Sequence, residues 1–102
     1  MKTQVAIIGG GPSGLLLSQL LNKAGVATVI LERSSRAHVE GRIRAGVLET
    51  GTVQMLHEAG VGDRLDREGI PHVGCYLTDD DLMVRINFKE LTGKQVMVYG
   101  KT

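Results

Sequence analysis

Residues 4–14 read QVAIIGGGPSG, an apolar run that ends abruptly on three glycines. Continuous apolar character over residues 4–8 is typical of a parallel strand that is covered on both faces. After the glycines the period changes, and one helical stripe over residues 12–24 carries Leu16, Leu17, Leu20, Leu21 and Ala24. A second apolar run at 27–31 ends at Glu32. The order of strand, helix and strand predicts a βαβ unit with a right-handed crossover.

The glycines follow a G-x-G-x-x-G pattern in which each position has a physical role. Gly9 permits the tight turn, a side chain at Gly11 would keep a pyrophosphate from the backbone, and Gly14 lets the helix pack closely on the sheet. The helix N-terminus offers N–H groups and partial positive charge to that pyrophosphate, with Ser13 expected as a capping residue. Glu32 would accept hydrogen bonds from the adenosine ribose and repel a 2′-phosphate. The pattern therefore predicts FAD or NAD at this site rather than NADP.

The remainder of the chain departs from the steady alternation of a plain NAD-binding domain. Residues 33–44 are polar and basic, which indicates an extended or loosely helical connection, and residues 47–59 carry a weak helical stripe. Period-2 alternation before and after Asp79-Asp80-Asp81 predicts an antiparallel hairpin, and residues 96–99 suit one more strand. The predicted fold class is α/β: a Rossmann-like βαβ unit followed by a helix and an antiparallel β-hairpin.

Composition narrows the function classes. The 102 residues carry 12 basic and 11 acidic side chains, a balance that argues against nucleic-acid partners and acidic membrane surfaces. Cys75 is the single cysteine, so no internal disulfide or C-x-x-C site can form. The histidines lack ligand spacing, so we predict no metal site, and no acid–base or nucleophile set marks a catalytic residue. The apolar runs are too short for a signal peptide or a membrane span, so we expect a cytoplasmic protein without membrane attachment.

Residues 42–49 read RIRAGVLE, the most specific stretch of the chain. Two guanidiniums at i and i+2 beside a glycine could clamp phosphates or polar ring edges, although a solvated basic loop fits the same residues. Together with VAIIG at 5–9, PSGLLL at 12–17 and ILER at 30–33, this run resembles the single-component flavoprotein aromatic hydroxylases of the 4-hydroxybenzoate 3-monooxygenase type. The similarity continues through EAGV at 58–61 and VYG at 98–100, so it covers essentially the whole chain.

The resemblance implies an FAD cofactor with NADPH as co-substrate, and a reduced flavin that uses O2 to hydroxylate a small aromatic acid such as 4-hydroxybenzoate. It also implies a set of cofactor-binding residues: Gly9, Gly11, Ser13 and Gly14 at the pyrophosphate, Glu32 at the ribose, Arg33 toward NADPH, and Arg42, Arg44, Val47 and Lys101 near the ribityl chain and flavin. The chain departs from the family at His38, where Tyr is usual, and at Lys101, where Gln is usual.

By the same resemblance, residues 1–102 are the N-terminal part of an FAD-binding domain, and the substrate domain lies outside the chain. We therefore expect these residues to be inactive alone, and the sequence is compatible with a homodimer. Two alternatives stay open. An NAD-dependent dehydrogenase or reductase could use the same βαβ unit, and it predicts further alternating strands and helices after residue 33. The chain could also be a non-catalytic dinucleotide-binding remnant.

Overall fold

A computed structural model describes residues 1–99, which fall into two compact units, Met1–Arg44 and a second that begins at Ala45. The first unit contains, in chain order, β1 (Val5–Ile8), α1 (Pro12–Lys23), β2 (Thr28–Leu31) and α2 (Arg36–Gly41). Strands β1 and β2 pair in parallel, with Val5 opposite Thr28 and Ile8 opposite Leu31. The predicted βαβ unit is confirmed, and the connection over 33–44 contains one short helix.

Helix α1 begins where the glycine turn ends. Pro12 takes the first helical position, where its missing N–H costs no hydrogen bond, and Gly11 is the N-cap residue. The prediction that Ser13 caps this helix is wrong, because the helix start has no side-chain cap hydrogen bond. A capping side chain must come from the residue before the first helical one, whereas Ser13 already lies inside the first turn. The backbone amides at this end are therefore not occupied by a side-chain cap.

The parallel pair is covered on one face within the described residues, so the prediction of a strand covered on both faces is wrong for residues 1–99. The side chain of Ile7 is 7% exposed, whereas Ile8 is 80% exposed and Leu31 is 54% exposed. Successive side chains of a strand point to opposite faces, and α1 packs against only one of them. The local sequence shows that a strand is apolar. Which of its faces is covered depends on the other elements of the fold.

The second unit is built on antiparallel pairing. Its elements are β3 (Val47–Leu48), α3 (Thr50–Glu58), α4 (Asp63–Glu68), β4 (Ile70–His72), β5 (Gly74–Asp79), β6 (Leu82–Asn87), α5 (Phe88–Thr92) and β7 (Val96–Val98). Strand β7 lies between β3 and β4 in a three-stranded sheet, and β5 and β6 form a separate hairpin. The predicted hairpin and final strand are confirmed. Ala59 and Leu65 are the buried apolar side chains of this unit among the described residues.

The helix predicted over 47–59 begins later than expected. Val47 and Leu48 instead form β3, where they pair with Val98 and Met97 of β7, and the helix starts at Thr50. Backbone pairing with a strand about 50 residues away overrides the weak local helical stripe, as tertiary context commonly does.

Among residues 1–99, no helix has both the length and the apolar content required to cross a bilayer.

Candidate dinucleotide site

The glycine turn between β1 and α1 depends on two glycines. Gly9 has a φ of 113°, a backbone conformation that side-chain-bearing residues rarely adopt, and its N–H donates to the Leu31 carbonyl at 2.8 Å. A Cβ on Gly14 would overlap the Gly9 carbonyl oxygen and lie 3.3 Å from Cγ2 of Ile7. Helix α1 therefore packs closely on the turn and on Ile7 of β1, in line with the role predicted for Gly14 in packing the helix on the sheet.

Gly11 has a different environment, which is open rather than crowded. Its φ of −78° and ψ of −176° are ordinary extended values. A Cβ built on Gly11 would meet no heavy atom within 4 Å. The protein itself therefore does not require glycine here, and the open space lies beside the N-terminus of the 12-residue helix α1. Uncapped N–H groups and the helix dipole make such a space suitable for a phosphate group.

The carboxylate of Glu32 joins this turn to the chain that follows β2. Its Oε2 accepts from the Gly10 N–H and its Oε1 accepts from the Ser34 N–H, both at 2.8 Å. The hydrogen bond from Ser34, and then that from Gly10, lower the pKa of Glu32 below its ordinary value of 4.5. The exposed carboxylate is thus ionised at neutral pH, and each oxygen keeps a further lone pair for ribose hydroxyl groups.

The sequence did not reveal the partners of Glu32. Gly10 and Ser34 contribute backbone amides, which have no side-chain signature, so no residue pattern could have identified them. The packing at Gly10 is also close, because a Cβ there would lie 3.2 Å from the Cβ of Glu32. Glycine at this position lets the carboxylate lie directly against the turn.

An open cleft of about 590 Å³ lies at the end of the parallel pair. It is lined by Ile8, Gly9, Ile30, Leu31, Glu32 and Arg33. Three predicted site residues, Gly9, Glu32 and Arg33, therefore line one cleft, next to two exposed apolar side chains, Ile8 and Leu31. Such a cleft combines an apolar surface for a flat ring with a carboxylate for ribose hydroxyls.

The other predicted residues are more dispersed. Arg42 is the C-cap residue of α2, Arg44 ends the first unit, and both are exposed. Val47 belongs to β3 of the second unit and is 58% exposed. Lys101 lies outside the described residues. That these four residues flank one flavin stays a prediction. Within residues 1–99, no three His, Cys, Asp or Glu side chains are grouped as a metal site.

Acid is expected to loosen the contact that Glu32 makes with the turn. The pKa of Glu32 is lower in the folded chain than its ordinary value of 4.5. The stabilisation that the ionised carboxylate contributes is therefore fully present above pH 4.5, and it is lost as the pH falls through the folded-state pKa. We expect the amide resonances of Gly10 and Ser34 to shift together, with a common midpoint below pH 4.5, in a two-dimensional NMR titration. Glu32→Gln should abolish that transition at both amides. Different midpoints at the two amides, or a midpoint above pH 4.5, would contradict the conclusion that both amides donate to the Glu32 carboxylate.

Comparison with known proteins identifies a family and relatives for this chain. A family profile described as an FAD binding domain matches residues 2–102. The chain is 52% identical to p-hydroxybenzoate hydroxylase of Acinetobacter baylyi over 103 aligned positions, which cover 100% of this chain and 26% of that protein. It is 38% identical over 72 residues to 3-(3-hydroxy-phenyl)propionate/3-hydroxycinnamic acid hydroxylase 2 of Burkholderia vietnamiensis, which covers 71% of this chain and 13% of that protein.

A solved structure shares the fold. The p-nitrophenol 4-monooxygenase of Pseudomonas putida DLL-E4 matches with a TM-score of 0.78 and 24% identity, over 96% of this chain and 26% of that one. The chain thus spans about a quarter or less of the length of these relatives. The resemblance to flavoprotein aromatic hydroxylases is confirmed, and the chain belongs to the FAD-binding domain family.

Proposed function

We propose that this chain binds FAD and forms the N-terminal part of the FAD-binding domain of a monooxygenase that hydroxylates an aromatic acid such as 4-hydroxybenzoate, with NADPH and O2. The observation that carries the proposal is the open space at Gly11, beside the uncapped N-terminus of α1 and near the ionised carboxylate of Glu32. The 52% identity to p-hydroxybenzoate hydroxylase supports the choice of substrate class.

In this proposal the two halves of the cofactor are held by different residues. The pyrophosphate lies against the turn at Gly9, Gly11, Ser13 and Gly14, where backbone N–H groups at the start of α1 hold it, and Glu32 accepts from the adenosine ribose. The Gly9 N–H takes no part, because it donates to the Leu31 carbonyl. The flavin half lies near Arg42, Arg44, Val47 and Lys101, and Arg33 faces the NADPH phosphate. The bound flavin, once reduced, supplies the chemistry that activates O2. The protein's part is to bind and orient the cofactor beside a small aromatic substrate.

The strand pairing after residue 33 bears on the dehydrogenase alternative. A NAD-dependent dehydrogenase would continue with parallel strands and helices, as in a doubly wound sheet. Within the described chain, every strand pairing after residue 33 is antiparallel. FAD therefore fits this architecture better than NAD as the resident dinucleotide. A non-catalytic dinucleotide-binding remnant would share the glycine turn, and it differs from the proposal only in lacking hydroxylase activity within the longer protein.

Titration of the purified chain with FAD, ADP, NAD and NADP tests the proposal, with calorimetry for all four and flavin fluorescence for FAD. We expect FAD to bind tightest, because residues 42–49 add contacts to the flavin half that ADP and NAD cannot use. At the glycine turn NADP should displace FAD less readily than NAD does, because the Glu32 carboxylate repels its 2′-phosphate, whereas NADP bound near Arg33 would leave FAD in place. Tighter binding of NAD than of FAD would favour the dehydrogenase reading, and binding of none of them would overturn the proposal for this chain.

A further inference from the structure

A cluster of three polar side chains connects α4 to the residue after β7. Oε2 of Glu68 accepts from the Tyr99 hydroxyl at 3.0 Å and from Nε of Arg64 at 3.0 Å. The Arg64 guanidinium carbon also lies 5.8 Å from the centre of the Tyr99 ring. Arg64 and Glu68 are neighbours on one helix, whereas Tyr99 is 31 residues beyond Glu68. The hydrogen bond between Glu68 and Tyr99 is therefore the long-range contact of this cluster, and it restrains Tyr99 relative to α4.

The backbone of Tyr99 is held at the same time by Gly46. The Tyr99 N–H donates to the Gly46 carbonyl at 2.8 Å. A Cβ on Gly46 would overlap the Tyr99 carbonyl oxygen and lie 3.1 Å from its carbonyl carbon. The two segments thus touch backbone to backbone, and this contact continues the pairing of Val47 with Val98. Because Tyr99 and Gly46 are joined through the backbone, a restraint on Tyr99 is also a restraint on Gly46.

The protonation states make the side-chain contact robust at neutral pH. The hydrogen bond from Tyr99, and then that from Arg64, lower the pKa of the Glu68 carboxyl. Partial burial, and then the hydrogen bond to Glu68, raise the pKa of the Tyr99 phenol. The phenol therefore remains a donor and the carboxylate remains an acceptor, which is the arrangement of a charge-assisted hydrogen bond.

We propose that Glu68 is a positioning residue that acts through Tyr99: it fixes the end of β7 against Gly46 and thereby sets the backbone at Gly46 and Val47. The role of this backbone in contacting the flavin rests on the proposed function, whereas the restraint on Gly46 does not. The Arg64–Glu68 pair alone does not account for such a role, because it joins two residues of one helix and because exposed i,i+4 ion pairs contribute little to stability. Removal of the Tyr99 hydroxyl should therefore reproduce the effect of removing the Glu68 carboxylate.

The test uses the whole chain and begins without ligand. Amide hydrogen exchange followed by NMR is compared for Glu68→Ala, Tyr99→Phe and Glu68→Gln, with Gln54→Ala as control. The control breaks an exposed side-chain pair of the same unit, Gln54 to Glu58. We expect the Tyr99 amide to exchange roughly tenfold faster in Glu68→Ala and Tyr99→Phe, because a local restraint has been removed. Glu68→Gln should retain most of the protection, since its amide oxygen still accepts from the phenol.

The pattern across variants and sites decides the outcome. Unchanged exchange at Tyr99 overturns the proposal, and so does an equal acceleration at all protected amides of the second unit, which indicates general destabilisation only. With ligand added, Tyr99→Phe should weaken FAD binding while leaving ADP binding unchanged. If the unsubstituted chain binds no FAD, the proposed function fails, and the exchange data alone still support or overturn the positioning role of Glu68.

Discussion

Gly14→Ala is expected to lower the melting temperature by on the order of 15 °C, the largest effect on stability that we predict for a single methyl group. The added Cβ would overlap the Gly9 carbonyl oxygen, a backbone atom that cannot move aside without breaking the turn. Overpacking of this kind costs about 1–3 kcal/mol or more, and a small domain loses about 4–8 °C per kcal/mol. Thermal unfolding followed by circular dichroism measures the shift.

Gly11→Ala is the matched control, because it adds the same methyl group in the same turn where no heavy atom lies within 4 Å. We expect its melting temperature to fall much less than that of Gly14→Ala, because the cost that remains is the lower preference for alanine than for glycine at an N-cap position. Alanine favours helix over glycine by about 1 kcal/mol, so Gly14→Ala would be stabilising if the overlap were absent. Equal or higher stability of Gly14→Ala would show that α1 does not pack on the turn as described.

Gly11→Val is expected to reduce FAD affinity by about 100-fold, or about 3 kcal/mol, while leaving the fold intact. The open space at Gly11 is where the proposed pyrophosphate approaches the backbone, and a branched side chain would fill it. The extended φ and ψ of Gly11 accept valine without strain. Calorimetric titration with FAD and with ADP measures the loss. Thermal unfolding without ligand checks that the variant stays folded, with only the small decrease in melting temperature expected from replacing glycine at an N-cap position.

Gly51→Val provides the control for this experiment. Gly51 lies near the start of α3 in the second unit, and a Cβ there also meets no heavy atom within 4 Å. The substitution has the same chemistry at a position away from the glycine turn. Because Gly51 lines a surface pocket together with Val47, which the proposal places near the flavin, the control is scored with ADP: ADP affinity should be unchanged in Gly51→Val and reduced in Gly11→Val. Retained FAD affinity in Gly11→Val would show that the pyrophosphate does not bind at this turn. The proposed function would then lose the observation that carries it.

The two glycine substitutions separate folding from binding within one turn. Both glycines belong to the same sequence pattern, and the pattern alone assigns one to helix packing and one to ligand approach. The structure supports this division, because the Cβ position of Gly14 is occupied by protein and that of Gly11 is empty. A variant that loses FAD without losing stability, beside one that loses stability itself, would establish both roles independently.

The sequence by itself determined the βαβ unit, the β5–β6 hairpin and three of the residues that line the cleft, Gly9, Glu32 and Arg33. These features depend on short-range information: the period of apolar side chains, the spacing of three glycines, and an acidic residue at the end of a strand. The Arg42–Glu49 run also carried the family resemblance, although the place of Arg42 and Arg44 relative to a flavin stays a prediction.

Only the tertiary structure decided how backbone groups pair over long distances. Val47 and Leu48 form a strand because β7 pairs with them. Glu32 accepts from the amides of Gly10 and Ser34 because parallel pairing aligns the ends of β1 and β2. The backbone contact of Tyr99 with Gly46 arose in the same way. Backbone N–H and C=O groups are the same in nearly every residue, so a sequence pattern cannot specify which of them will meet.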